Sequence, residues 1–294
     1  MSFKSVIAGI FRSTLTLISP MLNTRVTYWC KFKRKLDLDN PVTLNDKILW
    51  LKFNTYWNNP VVKQCADKYR VRDYIKQKGC PEILIDLIGV YRDVKDIVWK
   101  ELPERFVIKL NVGCGCNILV NNKDELNIEE TEKKLTKWLK ANNYYLGYSE
   151  MQYKDVEPCI LIEQYICEEN GNPPLDYKFY CMNGKSNMVM VCVDREEGQV
   201  AKYFYYDKNW NLLPYGEDVE KEPDRVIPKP ENMELAFEYA EKLSQDFPFV
   251  RCDLYIVHGK IYFGELTFTP SGGMDITISH ETDRILGEQL QLKI

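Results

Sequence analysis

The stretch RCDLYIVHGKIYFGELTFTPSGG, residues 251–273, constrains the fold more than any other part of the chain. Its arms, RCDLYIV and IYFGELTF, are rich in β-branched and aromatic residues, which suit a pleated, half-buried surface. HGK between them reads as a short hairpin connection, with Gly259 free to take positive φ. A three-residue loop sets Val257 across from Ile261, and counting outward sets Asp253 across from Glu265. Directly opposed residues share a face with Cβ atoms roughly 4.5–5.5 Å apart. Two carboxylates so placed repel by roughly 1 kcal/mol in water and by more inside a cleft. A cation between them would relieve this. Two alternatives stay open: acids that simply face solvent, or a two-residue loop that sets Asp253 against Gly264.

The 294 residues allow two domains, or one large domain with subdomains. Hydrophobic content of 45% and charge of 28% are those of a soluble globular protein. A net charge of −4 gives no electrostatic case for nucleic acid. The ten cysteines are scattered, with Cys114 and Cys116 the one close pair, and only two histidines accompany them. That argues against zinc and for reduced, buried thiols in the cytoplasm. At the N-terminus, Arg12 interrupts the apolar run, so no segment there is suited to span a bilayer. An amphipathic helix resting on the protein body, or peripherally on a membrane, is expected instead.

Residues 23–100 read as mainly helical, including TLNDKILWLKFNTYW and KQCADKYRVRDYIKQKG, with Gly79–Cys80–Pro81 as a stop. EILIDLIGVY then suits a strand. RFVIKLNVGCGCNILVNN reads as strand, glycine loop, strand. NIEETEKKLTKWLKANNYY is an amphipathic helix with Leu135, Trp138 and Leu139 on one face. PCILIEQYI is a buried, central strand. YKFYCMNGKSNMVMVCVDR is a hairpin around Asn183–Gly184, and ENMELAFEYAEKLSQDF is a helix. The expected organisation is α+β: a helical N-terminal region over 1–100, a subdomain with the glycine loop over 101–170, and a subdomain with the hairpin over 171–294, with a cleft between the two.

The order DKY (67–69), VIKLNVGCGCNI, LIEQYI (161–166), DYKFY (176–180), then RCDLY and GELTFTPSGG resembles the ATP-grasp superfamily. It is most similar to the TupA-like branch found among capsular and cell-surface polysaccharide genes. The resemblance covers roughly residues 30–290 and includes LDLDNPVTLNDKILWLK and ADKYRVRDYI. It implies an ATP-grasp fold with two α+β subdomains gripping ATP, and a carboxylate–amine ligase that works through an acyl phosphate. Lys68 and Lys109 match lysines near the phosphates, and Gly113 and Gly115 lie in the loop that closes over them. Glu163, Gln164, Tyr165 and Ile166 match the hinge that reads adenine, with Glu168 or Glu169 toward the ribose. Asp253 and Glu265 match the carboxylates that carry Mg²⁺. Arg251 matches an arginine that stabilises charge on the transferring group, Lys178 is read as a second phosphate contact among the catalytic residues, and TPSGG suits a loop presenting backbone donors to a substrate carboxylate or phosphate.

The branch usually shows a histidine and a serine where this chain has Val112 and Cys114, and Thr267 stands where many ATP-grasp enzymes carry Asn. The implied substrates are a sugar acid (uronate) or polysaccharide precursor and an amine or amino acid. The Tyr-rich segments YYLGYSEMQYKD and KYFYYDKNW either stack on sugar rings or fill the core. A glycosyltransferase using a nucleotide sugar and a catalytically degenerate nucleotide-binding module are the alternatives.

Overall fold

The computed structural model describes residues 3–141, 143–194 and 201–293, with side chains from residue 7 onward. Ten strands among these form two antiparallel sheets. The first comprises β1 (Leu87–Tyr91), β2 (Phe106–Leu110), β3 (Asn117–Val120) and β4 (Ile160–Gln164), in the order β1-β4-β2-β3. Residues Ile160, Leu161 and Ile162 are fully buried because β4 is an interior strand covered on its faces. The helix Ile128–Lys140 packs on this sheet through Leu135, Trp138 and Leu139, the face its periodicity marks out. β1 lies N-terminal to residue 101, so this sheet also draws on the end of the mainly helical region.

The second sheet comprises β5 (Asp176–Met182), β6 (Lys185–Val193), β7 (Lys202–Asp207), β8 (Leu212–Leu213), β9 (Phe249–Val257) and β10 (Lys260–Thr267), in the order β10-β9-β5-β6-β7-β8. The helix Met233–Ser244 buries Ala236, Phe237, Ala240 and Leu243 against it, with Phe237 edge-on to Phe179 at 4.8 Å between centroids. Each large apolar side chain so buried contributes about 1.5–3 kcal/mol. Ile48, Val62 and Ile75, from three helices of the N-terminal region, belong to the same core.

Two local features depart from the sequence expectations. The stretch 63–79 is not one helix: Pro60–Ala66 and Val71–Gln77 are separate. The Asp67 carboxylate accepts from the N–H groups of Tyr69 (2.8 Å) and Arg70 (3.2 Å), a turn that competes with helix continuation. In the β9–β10 hairpin the loop has two residues, not three. Val257 pairs with Lys260, and His258 (φ 49°) and Gly259 (φ 71°) both adopt the left-handed conformation favoured in tight hairpins. A register shift between Phe263 and Glu265 then leaves Gly264 as an extra residue, and Glu265 faces Asp253 after all. The expected pairing is present, by a different route.

At the N-terminus, helices Phe3–Ile18 and Pro20–Phe32 form a hairpin anchored on the protein body by Thr16 and Asn23, as described below. No helix among the described residues is long and apolar enough to cross a membrane. All ten cysteines are free.

Candidate functional site

A cavity of about 350 Å³ is lined by residues of both sheets. From the first sheet come Lys109, at the end of β2, and the β2–β3 turn. From the second come Asp176 and Lys178 on β5, Arg251 and Asp253 on β9, and Glu265 on β10. Strand periodicity explains the charged wall. In DYK and RCD an acid and a base stand two apart and share a face, while Tyr177 and Cys252 point into the core between them. The β5–β9 register places Lys178 directly across from Asp253.

Asp253 is 2% exposed and both its oxygens are engaged. Arg251 grips it with two parallel bonds, Nε to Oδ1 at 2.7 Å and Nη2 to Oδ2 at 2.8 Å, and Lys178 Nζ reaches Oδ2 at 2.6 Å. Lys178 also bonds Asp176. Burial pushes the Asp253 carboxyl above its ordinary range, against the pull of Arg251 and Lys178. Burial likewise weighs against the charge on Lys178, but Asp253 and Asp176 hold its pKa above the usual lysine value.

Glu265 differs. Its side chain is 39% exposed and opens to the cavity. Lys68 Nζ and Arg251 Nη2 each lie 3.7 Å from one of its oxygens, and the Thr267 hydroxyl donates to Oε1 at 3.0 Å. Burial raises its pKa, but Lys68, Arg251 and Lys178 together outweigh this and hold it at about 2. The two acids therefore both contact Arg251, which takes the intervening position that electrostatics demands of a cation.

The turn that breaks the helix at Asp67 delivers Lys68. Its backbone N–H donates to Asn111 O at 2.9 Å, and its Nζ donates to Gly113 O at 2.8 Å, tying the glycine loop to the Glu265 side of the cavity. Gly113 (φ 79°) and Gly115 (φ 75°) both need a conformation that side-chain-bearing residues rarely adopt. Val112 is buried, whereas Cys114 is exposed. Ser271, in the TPSGG loop, also lines the cavity, as does Tyr203 from the second Tyr-rich segment.

Residues 163–166, expected to form the adenine hinge, sit elsewhere. Glu163 is buried, and its carboxylate pairs with Lys109 at 2.7 Å and Arg72 at 3.3 Å. Gln164 is exposed, Tyr165 is buried with the Arg105 guanidinium 4.4 Å above its ring, and Ile166 is half-buried. None of residues 163–166 lines the cavity; Glu163 meets it through Lys109.

Sequence reasoning passed over Asp176 and Arg72. Asp176 carried a signal, since DYK repeats the two-residue acid–base spacing of RCD. Arg72 carried none, because its partner Glu163 lies ninety-one residues away. Among the described residues no group of three or more His, Cys, Asp or Glu side chains is arranged to hold a metal ion. Glu265, open to the cavity, is an oxygen donor of the kind Mg²⁺ takes, and Asp253 would join it by sharing or exchanging its contacts with Arg251 and Lys178; that ion needs only one or two carboxylates and completes its shell with water and phosphate oxygens.

The family model described as TupA-like ATPgrasp matches residues 46–291. No curated protein matches the chain. Among solved structures it is similar to a D-alanine–D-alanine ligase from Bacillus anthracis complexed with ATP, at 16% identity and a TM-score of 0.48, covering 76% of this chain and 61% of that one. It is also similar to an L-amino acid ligase from Bacillus licheniformis, at 13% identity and a TM-score of 0.48, covering 79% of this chain and 49% of that one. The chain thus spans less than two thirds of either protein's length.

Proposed function

Because the chain belongs to the TupA-like ATP-grasp family, we propose that it is an ATP- and Mg²⁺-dependent ligase that joins a sugar acid to an amine or amino acid as an amide, in the cytoplasmic stage of capsular or surface polysaccharide synthesis. The observation that carries this reading is the opposition of Asp253 and Glu265 in a cavity lined by Lys68, Lys109, Lys178 and Arg251. Forming an acyl phosphate brings a carboxylate to a phosphoryl group, so anions must be neutralised and held in line. A bound Mg²⁺ would supply part of that neutralisation, held by Asp253 and Glu265.

The chain's own residues do the rest. Lys68 and Lys109 bind phosphate oxygens as point charges, and the backbone N–H groups around Gly113 and Gly115 cradle them. Holding Glu265 at about pKa 2 keeps it ionised throughout the physiological range. Arg251 and Lys178 orient Asp253 and stabilise charge developing on the transferred group. Residues 163–166, with Glu168 or Glu169, are assigned to the nucleoside, and the TPSGG loop to the acceptor.

Thermal unfolding tests the reading without knowledge of the substrates. Mg·ATP should raise Tm, ATP with EDTA should raise it less, and Asp253→Ala and Glu265→Ala should each remove the metal-dependent part. Screening uronates against amines should then find a pair that releases ADP and phosphate only together. ATP binding that is indifferent to both acids would assign the chain instead to a non-catalytic nucleotide-binding module.

A further inference from the structure

The N-terminal helix hairpin meets the protein through Thr16, Asn23, Thr24, Thr27 and Tyr28, and turns an apolar face to solvent. Thr16 and Asn23 are buried and converge on Ser149: the Thr16 hydroxyl lies 2.8 Å from Ser149 Oγ, and Asn23 Nδ2 donates to the same oxygen at 2.9 Å. Arg12 and Lys31 both lie against the Tyr148 ring. Opposite Thr16 on the first helix, Ile7, Ile10, Phe11, Leu17 and Ile18 recur at spacings of three, four and seven, and each is more than half exposed. On the second helix, opposite Asn23 and Thr27, the exposed face carries Leu22, Arg25 and Trp29, with Lys33 Nζ 5.5 Å from the Trp29 ring. Both buried faces point to one anchor, so both apolar faces point away from it.

Charge identifies what covers this surface. Residues 1–36 contain seven Lys and Arg and no Asp or Glu; Arg12, Lys31 and Arg34 turn to the protein body, and Arg25, Lys33 and Lys35 are exposed, in a chain whose net charge is −4. A second copy of the same surface would bring like charges together. An anionic lipid surface satisfies both features, because apolar side chains and Trp enter the headgroup boundary while Lys and Arg meet the phosphates. We propose that this helix hairpin docks the protein on an anionic bilayer, with Ile10, Phe11 and Ile18 inserted and Arg25 and Lys33 at the headgroups. The proposal stands whether or not the ligase reading holds.

The test is co-sedimentation of the full chain with vesicles of phosphatidylcholine alone and of phosphatidylcholine mixed with phosphatidylglycerol. We expect preferential binding to the mixed vesicles, weakened by salt. The double variant I10D/F11D should cut partitioning by about tenfold or more, and R25E/K33E should abolish the preference for anionic lipid. Because these side chains are exposed, Tm should not change, which separates lost docking from lost folding. Absence of binding to the mixed vesicles, or binding that I10D/F11D leaves intact, would overturn the proposal. So would a dimer in light scattering that I10D/F11D dissociates while the wild type ignores vesicles; the face would then belong to a second copy.

Discussion

Asp253 stands directly across the hairpin from Glu265, and the one-residue irregularity at Gly264 is what puts it there. The two-residue turn alone would set Asp253 against Gly264; the bulge restores the acid pair. An added Cβ at Gly264 would lie 2.9 Å from the Asp253 carbonyl oxygen, which is backbone and cannot swing aside. Gly264→Ala should therefore shift one acid relative to the other. The expected outcome is a folded protein with a slightly lower Tm and a Mg·ATP-dependent Tm shift reduced by half or more, read against ATP with EDTA. An unchanged shift would mean that nucleotide binding does not depend on this register.

Removing Asp253 should damage stability as well as binding. Arg251 and Lys178 share its oxygens in a buried setting, so Asp253→Ala leaves two cations without their main partner. Breaking such a pair on one side costs about 3–5 kcal/mol. Adding Arg251→Ala to Asp253→Ala should cost less than the sum of the two single changes, since the lone variants each strand a charge. Urea unfolding of the three variants measures the coupling, and strict additivity would show that the contacts contribute little.

Glu265 gives the site a pH signature. Its folded pKa, about 2, lies below the ordinary carboxylate value near 4.5. The folded state thus binds fewer protons than the unfolded state between these values, and stability rises with pH across that window. The stabilisation is fully present above about pH 5 and is lost as pH falls toward 2. Its size is limited by solvent screening, because the side chain is 39% exposed. The difference in unfolding free energy between wild type and Glu265→Gln should be constant from pH 5 to 8 and shrink below about 4.5. A difference that instead grows on acidification would contradict the depressed pKa.

Much of this was legible in the sequence, for identifiable reasons. Period-two alternation and Gly turns gave away the β5–β6 and β9–β10 hairpins, and the 3.6-residue period marked Leu135, Trp138 and Leu139. HGK leaves two-residue and three-residue loops both open; the turn takes the shorter form, and the acid pairing survives because Gly264 compensates. Gly inside a strand pattern is a bulge signal, so this much was readable. The break at Asp67 was not, because KQCADKYRVRDYIKQKG has helix-forming composition throughout and the Asx turn competes only by local hydrogen bonds. Pairing of Arg72 with Glu163 was invisible because it depends on how a helix and β4 meet in space. The N-terminal helix was recognised as amphipathic; which face it buries was not, since polar anchoring by Thr16 and Asn23 depends on Ser149, far along the chain.

The glycine loop supplies a final contrast. Gly113 and Gly115 have nearly equal φ, 79° and 75°, so alanine at either incurs the left-handed backbone cost, of order 1–2 kcal/mol. Their surroundings differ. A Cβ at Gly113 would lie 2.6 Å from the Tyr144 ring, whereas nothing lies within 4 Å of one at Gly115. Gly113→Ala must therefore displace Tyr144, whose hydroxyl lies 3.2 Å from Trp138 O at the end of the helix on the first sheet. It must also disturb the carbonyl that Lys68 holds at 2.8 Å. Gly115→Ala should lower Tm by a few degrees and leave most of the Mg·ATP shift. Gly113→Ala should lower Tm further and remove most of that shift. Adding Tyr144→Ala to Gly113→Ala should recover part of the shift, because the truncated side chain makes room for the new methyl group. No recovery would place the defect in the backbone conformation rather than in the clash.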